Sequence, residues 1–357
     1  MTDDLLTAPK RRERTKVRTS GPEDHSSTRV VREKDLQQVI RELIASNNTD
    51  RATKVLVDSV AGMRDSKLNI KEQLNNMFFL ARAIQAGGGM KYGYEKLRSK
   101  SKQLINFVSG LEIPDGGFVE LGCGAHDPIS LSTFMFLNGL TPAVGIDLLP
   151  PRTEYFSALS MYDILAHAKM FPGRYCWRGN KPADIIQKLR DIDVASFERG
   201  DFSAGLASMG GQVRLLAEDF RTCDVAPGSV ALLTSFAVME HVDDIDSIAA
   251  RTFELVRPGG AVYHFVDLAD HRSYRGDGEY SALSFLAEED APANMNRLRA
   301  HEVTAAHERA GFEIIGDTRH TIPIPRKIEE NLLPRFAAMP REDVAAVKQH
   351  LVLRRPA

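Results

Sequence analysis

The sequence has no run of about 18 consecutive apolar residues, so no membrane-spanning helix is expected. Its opening residues, MTDDLLTAPKRRERTKVR, lack the apolar stretch of a secretory leader. Cysteine is scarce: Cys123, Cys176 and Cys223 are odd in number and widely spaced. That fits a reduced, cytoplasmic protein better than a disulfide framework. An excess of one charge is also lacking. With 46 basic and 48 acidic residues the net charge is -2, too small for a whole-molecule field that attracts nucleic acid or anionic membrane. What remains is ordinary globular material, 43% hydrophobic and 26% charged, in a chain of 357 residues, long enough for about two domains.

Three stretches differ in rhythm. Residues 1–34 are polar and have no apolar period, which reads as a disordered tail. Its KRRERTKVR (10–18) is basic, but acids flank it and no aromatic interleaves, so a solvated tail is the reading. Residues 35–110 carry a helical period, with Leu36, Val39, Ile40 and Leu43 on one stripe and a last run ending at Gly110. From 111 to 357 strands alternate with helices: FVELG, AVGIDL, VRLLAEDF, SVALLTSF and AVYHFVDL are strands, with a final helix–turn–strand and HLVLRR. Alternation of this kind predicts an α/β fold with a mostly parallel sheet and helices on both faces. The segments around 172–212 and 272–298 exceed what the alternation needs and read as insertions.

The chemistry concentrates at FVELGCGAHDP (118–128), two glycines placed after a strand and before a helix. A dinucleotide loop keeps the helix N-terminus bare for a pyrophosphate and places a third glycine where Asp127 stands. Glu120 lies upstream and Asp127 and Pro128 downstream, and acids there oppose a pyrophosphate. They suit a cationic, phosphate-free ligand, and S-adenosylmethionine carries a sulfonium, an ammonium, a carboxylate, a ribose and an adenine. Asp147 ends the next strand, where an acid accepts from ribose hydroxyls in either kind of site. Asp219 and Phe220 follow the third strand, suited to an exocyclic amine and an apolar ring face.

In that order VELGCG, VGIDL, AEDF, TSFAVMEHV and LVRPGGAVYHF resemble the motifs of class I S-adenosylmethionine-dependent methyltransferases, over residues 110–325 with a last strand near 350. The resemblance implies a Rossmann-like seven-stranded sheet whose final strand runs antiparallel, preceded here by the N-terminal helical segment. It also implies cofactor contacts from Glu120, Gly122 and Gly124 around the methionine, Asp147 at the ribose, Glu218, Asp219 and Phe220 near the adenine, and Ser235 alongside. His126 departs from the small residue usual in the loop, and 72 residues separate Asp147 from Asp219.

Methyl transfer is an in-line displacement, and alignment supplies most of its rate. A hydroxyl acceptor also needs a base, for which His241, Asp267 and His271 are the candidates. Asp243 or Asp244 reads as a helix N-cap and Asp246 as a first-turn acid. Cys123 reads as a packing residue. Carboxylates beside imidazole can hold a hard divalent metal, but the spacing specifies none, and polar lining is the reading adopted. The acceptor pocket is expected from the N-terminal helices and the two insertions, which carry Tyr92, Tyr94, Trp177, Tyr274, Tyr280, Phe285 and Arg297. The resulting expectation is methyl transfer to oxygen or nitrogen of a small or mid-sized acceptor, sugar-like or natural-product-like, with no membrane or nucleic-acid partner. Two alternatives stay open: a protein or RNA methyltransferase using the basic tail, and a non-catalytic or other Rossmann-type nucleotide-binding protein.

Overall fold

A computed structural model describes residues 93–357 apart from 126, 152–153, 277 and 291–293. The expected tail over 1–34, the helical stretch from 35 to 92, Tyr92 and His126 therefore lie outside the described residues.

Helix α1 (Gly93–Val108) buries Leu97, Ser101, Leu104 and Val108, one stripe at spacings of three and four. Strand β1 (Gly117–Leu121) is buried along its whole length, as a central parallel strand must be. Next come α2 (Ser130–Leu137), β2 (Ala143–Asp147), α3 (Glu154–Met170), α4 (Pro182–Leu189), α5 (Val194–Glu198), α6 (Phe202–Ala207), β3 (Val213–Ala217) and β4 (Val230–Phe236). The chain continues through α7 (Ile245–Leu255), β5 (Val256–Asp267), α8 (Ala300–Arg309), β6 (Glu313–Thr321), α9 (Arg326–Glu329), α10 (Pro334–Ala337), α11 (Arg341–Ala345) and β7 (Ala346–Arg354).

The seven strands form one sheet in the order β3-β2-β1-β4-β5-β7-β6. The first five are mutually parallel, and β7 runs antiparallel between β5 and β6. This is the expected α/β sheet with an antiparallel final strand. The strand order reverses between β1 and β4, so the crevice for a ligand opens at the carboxyl ends of those strands. One face is covered by α1–α3, through Leu104, Phe134, Met135, Met161 and Leu165. The other is covered by α7 and α8, through Ile248, Leu255, Ala300 and Val303.

The stretch over 172–212 is core rather than an added acceptor module. Tyr175, Ile185, Leu189, Phe197 and Phe202 are buried in the α1–α3 layer. Trp177 donates its backbone N–H to Asn138, the residue closing α2 ahead of β2, at 2.7 Å. That places Trp177 at the amino ends of the strands, opposite the crevice. The segment after β5 forms a third cluster around Leu283, Phe285 and Phe336. It is tied to the sheet by Arg299, wholly buried, whose guanidinium donates to the carbonyls of Leu268, Asp343, Val344 and Ala346.

Candidate active site

The crevice is a cleft of about 770 Å³, walled by β1, β2, β3 and β4 at their carboxyl ends and by α1. Gly122 and Gly124 lie on it with φ of +67° and +87°, the left-handed region that glycine enters without penalty. A Cβ at Gly122 would stand 2.3 Å from a methyl of Val238, so no larger residue fits; one at Gly124 would point into open space. Asp147 fixes the loop, its Oδ2 accepting from the Gly124 N–H at 2.9 Å and its Oδ1 from the Leu149 N–H at 3.1 Å.

Below the loop lies an ion pair that the sequence reading missed. Lys96 and Lys100, four apart on one face of α1, reach the cleft. The Lys100 ammonium donates to Oε1 of Glu120 at 2.6 Å. Burial opposes the Lys100 charge, but the Glu120 carboxylate outweighs it and raises the lysine's pKa. Lys96 has no such contact, and burial lowers its pKa. Glu120 is itself fully buried and acts on the cleft through Lys100, with Oε2 lacking a hydrogen-bond partner. Both oxygens of the buried Asp127 also lack one.

Glu218, Asp219 and Phe220 line the far wall. Asp219 is already gripped by the Arg221 guanidinium, at 2.6 Å for the shortest contact, and those hydrogen bonds lower its pKa. Ser235 is not on the wall. It is fully buried, its hydroxyl 2.7 Å from Nδ1 of His264, because alternation along β4 turns it into the α7–α8 face; the expectation that it sits beside a cofactor is corrected. Ala237, next after β4, has φ of +54° and lines the cleft, a strained backbone at the mouth of the site. Cys123 is buried, and burial, Glu120 and Asp147 together push its thiol pKa well up, so no thiolate forms there.

The three base candidates come together. The rings of His241 and His271 meet edge to face at 5.1 Å. His271 Nε2 lies 3.8 Å from Oδ2 of Asp267, which accepts from the Tyr274 hydroxyl at 2.7 Å. His241 also lines the cleft, so the cluster and the cleft share a wall. Its Nδ1 donates to the Asn294 carbonyl, which leaves Nε2 as the ring nitrogen turned to Glu240. Sequence reasoning passed over Glu240 beside it. This residue is 2% exposed, and burial, then the nearby Asp267 charge, push its pKa up to about 8. Asp244 caps α7 as expected, accepting from the Ser247 N–H at 3.0 Å, while Asp246 pairs with Arg309. Asp270 is spent on structure, holding Arg272 at 2.6 Å.

Residues 94–316 match a family described as a methyltransferase domain. The chain belongs to that family. The methyltransferase therefore takes its methyl group from S-adenosyl-L-methionine. Its fold is also similar to that of solved structures. One is the geranyl diphosphate C-methyltransferase of Streptomyces coelicolor A3(2), at 12% identity over 74% of this chain and 80% of that one, TM-score 0.38. Another is an S-adenosylmethionine-dependent methyltransferase of Mesorhizobium loti, at 13% identity over 68% and 93%, TM-score 0.34. A third is the [4+2]-cyclase SpnF, at 13% identity over 76% and 90%, TM-score 0.40. At such scores these likenesses add nothing to the family match. No curated protein sequence matches the methyltransferase. Among its described residues no helix is long and apolar enough to cross a membrane.

The donor's chemistry fits the residues present. The side open beside Gly124 leaves room for close approach, Asp147 and Glu218 bring carboxylates to the cleft wall, and Lys96 brings an ammonium with no hydrogen-bonded acid among the described residues.

Proposed function

We propose that this methyltransferase transfers the methyl group to an oxygen or nitrogen of a small or mid-sized molecule in the cytoplasm, with the donor along β1–β3 and the acceptor at the ends of β4 and β5. What carries this reading is the shared wall: His241 belongs both to the donor cleft and to the imidazole–carboxylate cluster with Asp267 and His271.

When bound, the donor supplies an electrophilic methyl group on a positively charged sulfur. The chain's own residues then bind and orient. Gly122 and Gly124 admit the methionine portion to close backbone contact, and Lys96 meets its carboxylate. Glu120 holds Lys100 charged and in place, a positioning role. Asp147 accepts from the ribose hydroxyls with the lone pairs its loop contacts leave free. Glu218 and Phe220 face the adenine, and Asp219 does so through its Arg221-bound edge. On the acceptor side, a hydroxyl loses its proton to the cluster, where Asp267 and the imidazoles of His241 and His271 are the basic groups. An amine acceptor needs only its neutral lone pair, held in line.

Labelled methyl transfer from S-adenosylmethionine over a fractionated cell extract tests the proposal. Label in the low-molecular-weight fraction, retained after deletion of residues 1–30, is the expected result. Label confined to protein or RNA and lost on that deletion contradicts the small acceptor.

A further inference from the structure

Glu240 is a buried carboxyl with no lysine or arginine ion pair among the described residues. It is 2% exposed, and neither of its oxygens makes a well-formed hydrogen bond, although the backbone N–H groups of Glu240 and Asp267 lie close to them. Buried polar groups in native proteins are nearly always paired, so such an orphan calls for an explanation. Two imidazoles face it. Nε2 of His241 lies 3.9 Å from Glu240 Oε1, and Nε2 of His271 is buried and also lacks a hydrogen-bond partner.

One donor atom from each of Glu240, His241 and His271 lies within 4.8 Å of the other two. Three ligands bonded at ~2.1 Å to one divalent ion lie ~3.0–3.6 Å apart, so side-chain adjustments of about an ångström bring all three into range. The surroundings already aim the ligands. The Nδ1–H of His241 is fixed on the Asn294 carbonyl, which selects the tautomer whose Nε2 can bind a metal. Asn296 braces the loop, donating through Nδ2 to the carbonyls of Met239 and Val242 at 2.7 and 2.9 Å. Its N–H donates to the Glu240 carbonyl at 2.9 Å. His271 opens a short helical turn pinned by the buried Asp270, which accepts from the Arg272 N–H at 3.0 Å.

We propose that Glu240, His241 and His271 form a divalent-metal site at the acceptor end of the cleft. Two imidazole nitrogens and one carboxylate select a first-row transition ion such as iron, cobalt or zinc over magnesium or calcium, with manganese(II) the most weakly held of that series. Three protein ligands would leave room for an acceptor oxygen, and His241 is the one of them that also lines the donor cleft. The acceptor class is thereby narrowed to hydroxyl compounds, a step that rests on the methyl-transfer reading, whereas the ion site itself does not. In that reaction the hydroxyl proton passes to Asp267, which is not among the three ligands. The oxygen lone pair forms the new O–C bond as the C–S bond breaks, and the sulfur keeps that electron pair.

The test uses the full chain stripped with a chelator and titrated with manganese(II), following loss of the free-ion electron paramagnetic resonance signal in excess magnesium. One ion per chain is expected, with Glu240→Gln and His271→Ala each weakening it at least tenfold. Binding of S-adenosylhomocysteine, measured by calorimetry, should change less than threefold in either variant. If Glu240→Gln fails to fold, His271→Ala carries the same comparison. No stoichiometric ion in the wild type, or variants that hold it as well as the wild type, overturns the site. Manganese binding with no affinity for S-adenosylhomocysteine overturns the donor reading and leaves the metal site standing.

Discussion

Two glutamates, Glu120 at the donor end and Glu240 at the acceptor end, are almost equally buried and have opposite surroundings. Glu120 has an ammonium 2.6 Å away, supplied by a helix that crosses the strand ends. Glu240 has two imidazoles and, among the described residues, no lysine or arginine ion pair. A fold that buries a carboxylate normally supplies its counter-charge internally. Where it supplies imidazoles instead, the carboxyl either keeps its proton or takes a counter-charge from outside the chain. The difference separates a structural pair from a ligand-binding one.

The largest effect follows from breaking the first pair. Lys100→Met leaves Glu120 buried alone and should destabilise the protein by about 3 kcal/mol, the low end for a broken buried pair because the carboxyl can take up a proton. Urea unfolding at neutral pH measures it, and a loss below about 1 kcal/mol would mean that the pair is not buried in solution. A comparable loss is expected from a third kind of buried group. Among the described residues His307 pairs only with the Val303 carbonyl, and burial pulls its pKa down to about 4 from an ordinary 6.5. A depressed histidine contributes fully above pH 6.5, and that contribution disappears as pH falls toward 4, by about 3 kcal/mol in all. Subtracting the stability curve of His307→Gln from that of the wild type isolates the limb; a flat difference between pH 6.5 and 4 counts against it. Smaller effects come from the same isosteric change at both glutamates. Glu120→Gln should cost about 2 kcal/mol, because the Lys100 it abandons still reaches the cleft. Glu240→Gln in chelator-treated protein should stay within about 1 kcal/mol of wild type, since no counter-charge is left behind. Equal losses at the two positions would erase the contrast.

Much of the fold was legible because the strands are short apolar runs in fixed alternation with helices. The cleft loop was legible for the same reason: Gly122 and Gly124 are required by backbone geometry, and Asp147 ends its strand where it can tie the loop down. Lys96 and Lys100 were not seen as site residues. Their helix reads as an ordinary amphipathic one, and only the crossing of α1 over β1 brings their four-residue spacing to bear on Glu120. Ser235 was misplaced because a motif position does not report which face of β4 a side chain takes, and its bond to His264 decides that. The stretch over 172–212 looked like an insertion by length alone, yet its apolar residues complete the α1–α3 layer. Glu240 escaped notice because an acid beside a histidine looks solvated in sequence, and its burial depends on the chain returning at Asn294–Asn296.

The most direct test of the account is a calorimetric titration of S-adenosylhomocysteine into the wild type and Asp147→Ala, with a nicotinamide dinucleotide as control. The account predicts saturable binding by the wild type, at least tenfold weaker binding by the variant as expected for loss of a charged hydrogen bond of ~1.5–3 kcal/mol, and no binding of the dinucleotide. Equal affinity in the two proteins, or a preference for the dinucleotide, would contradict it.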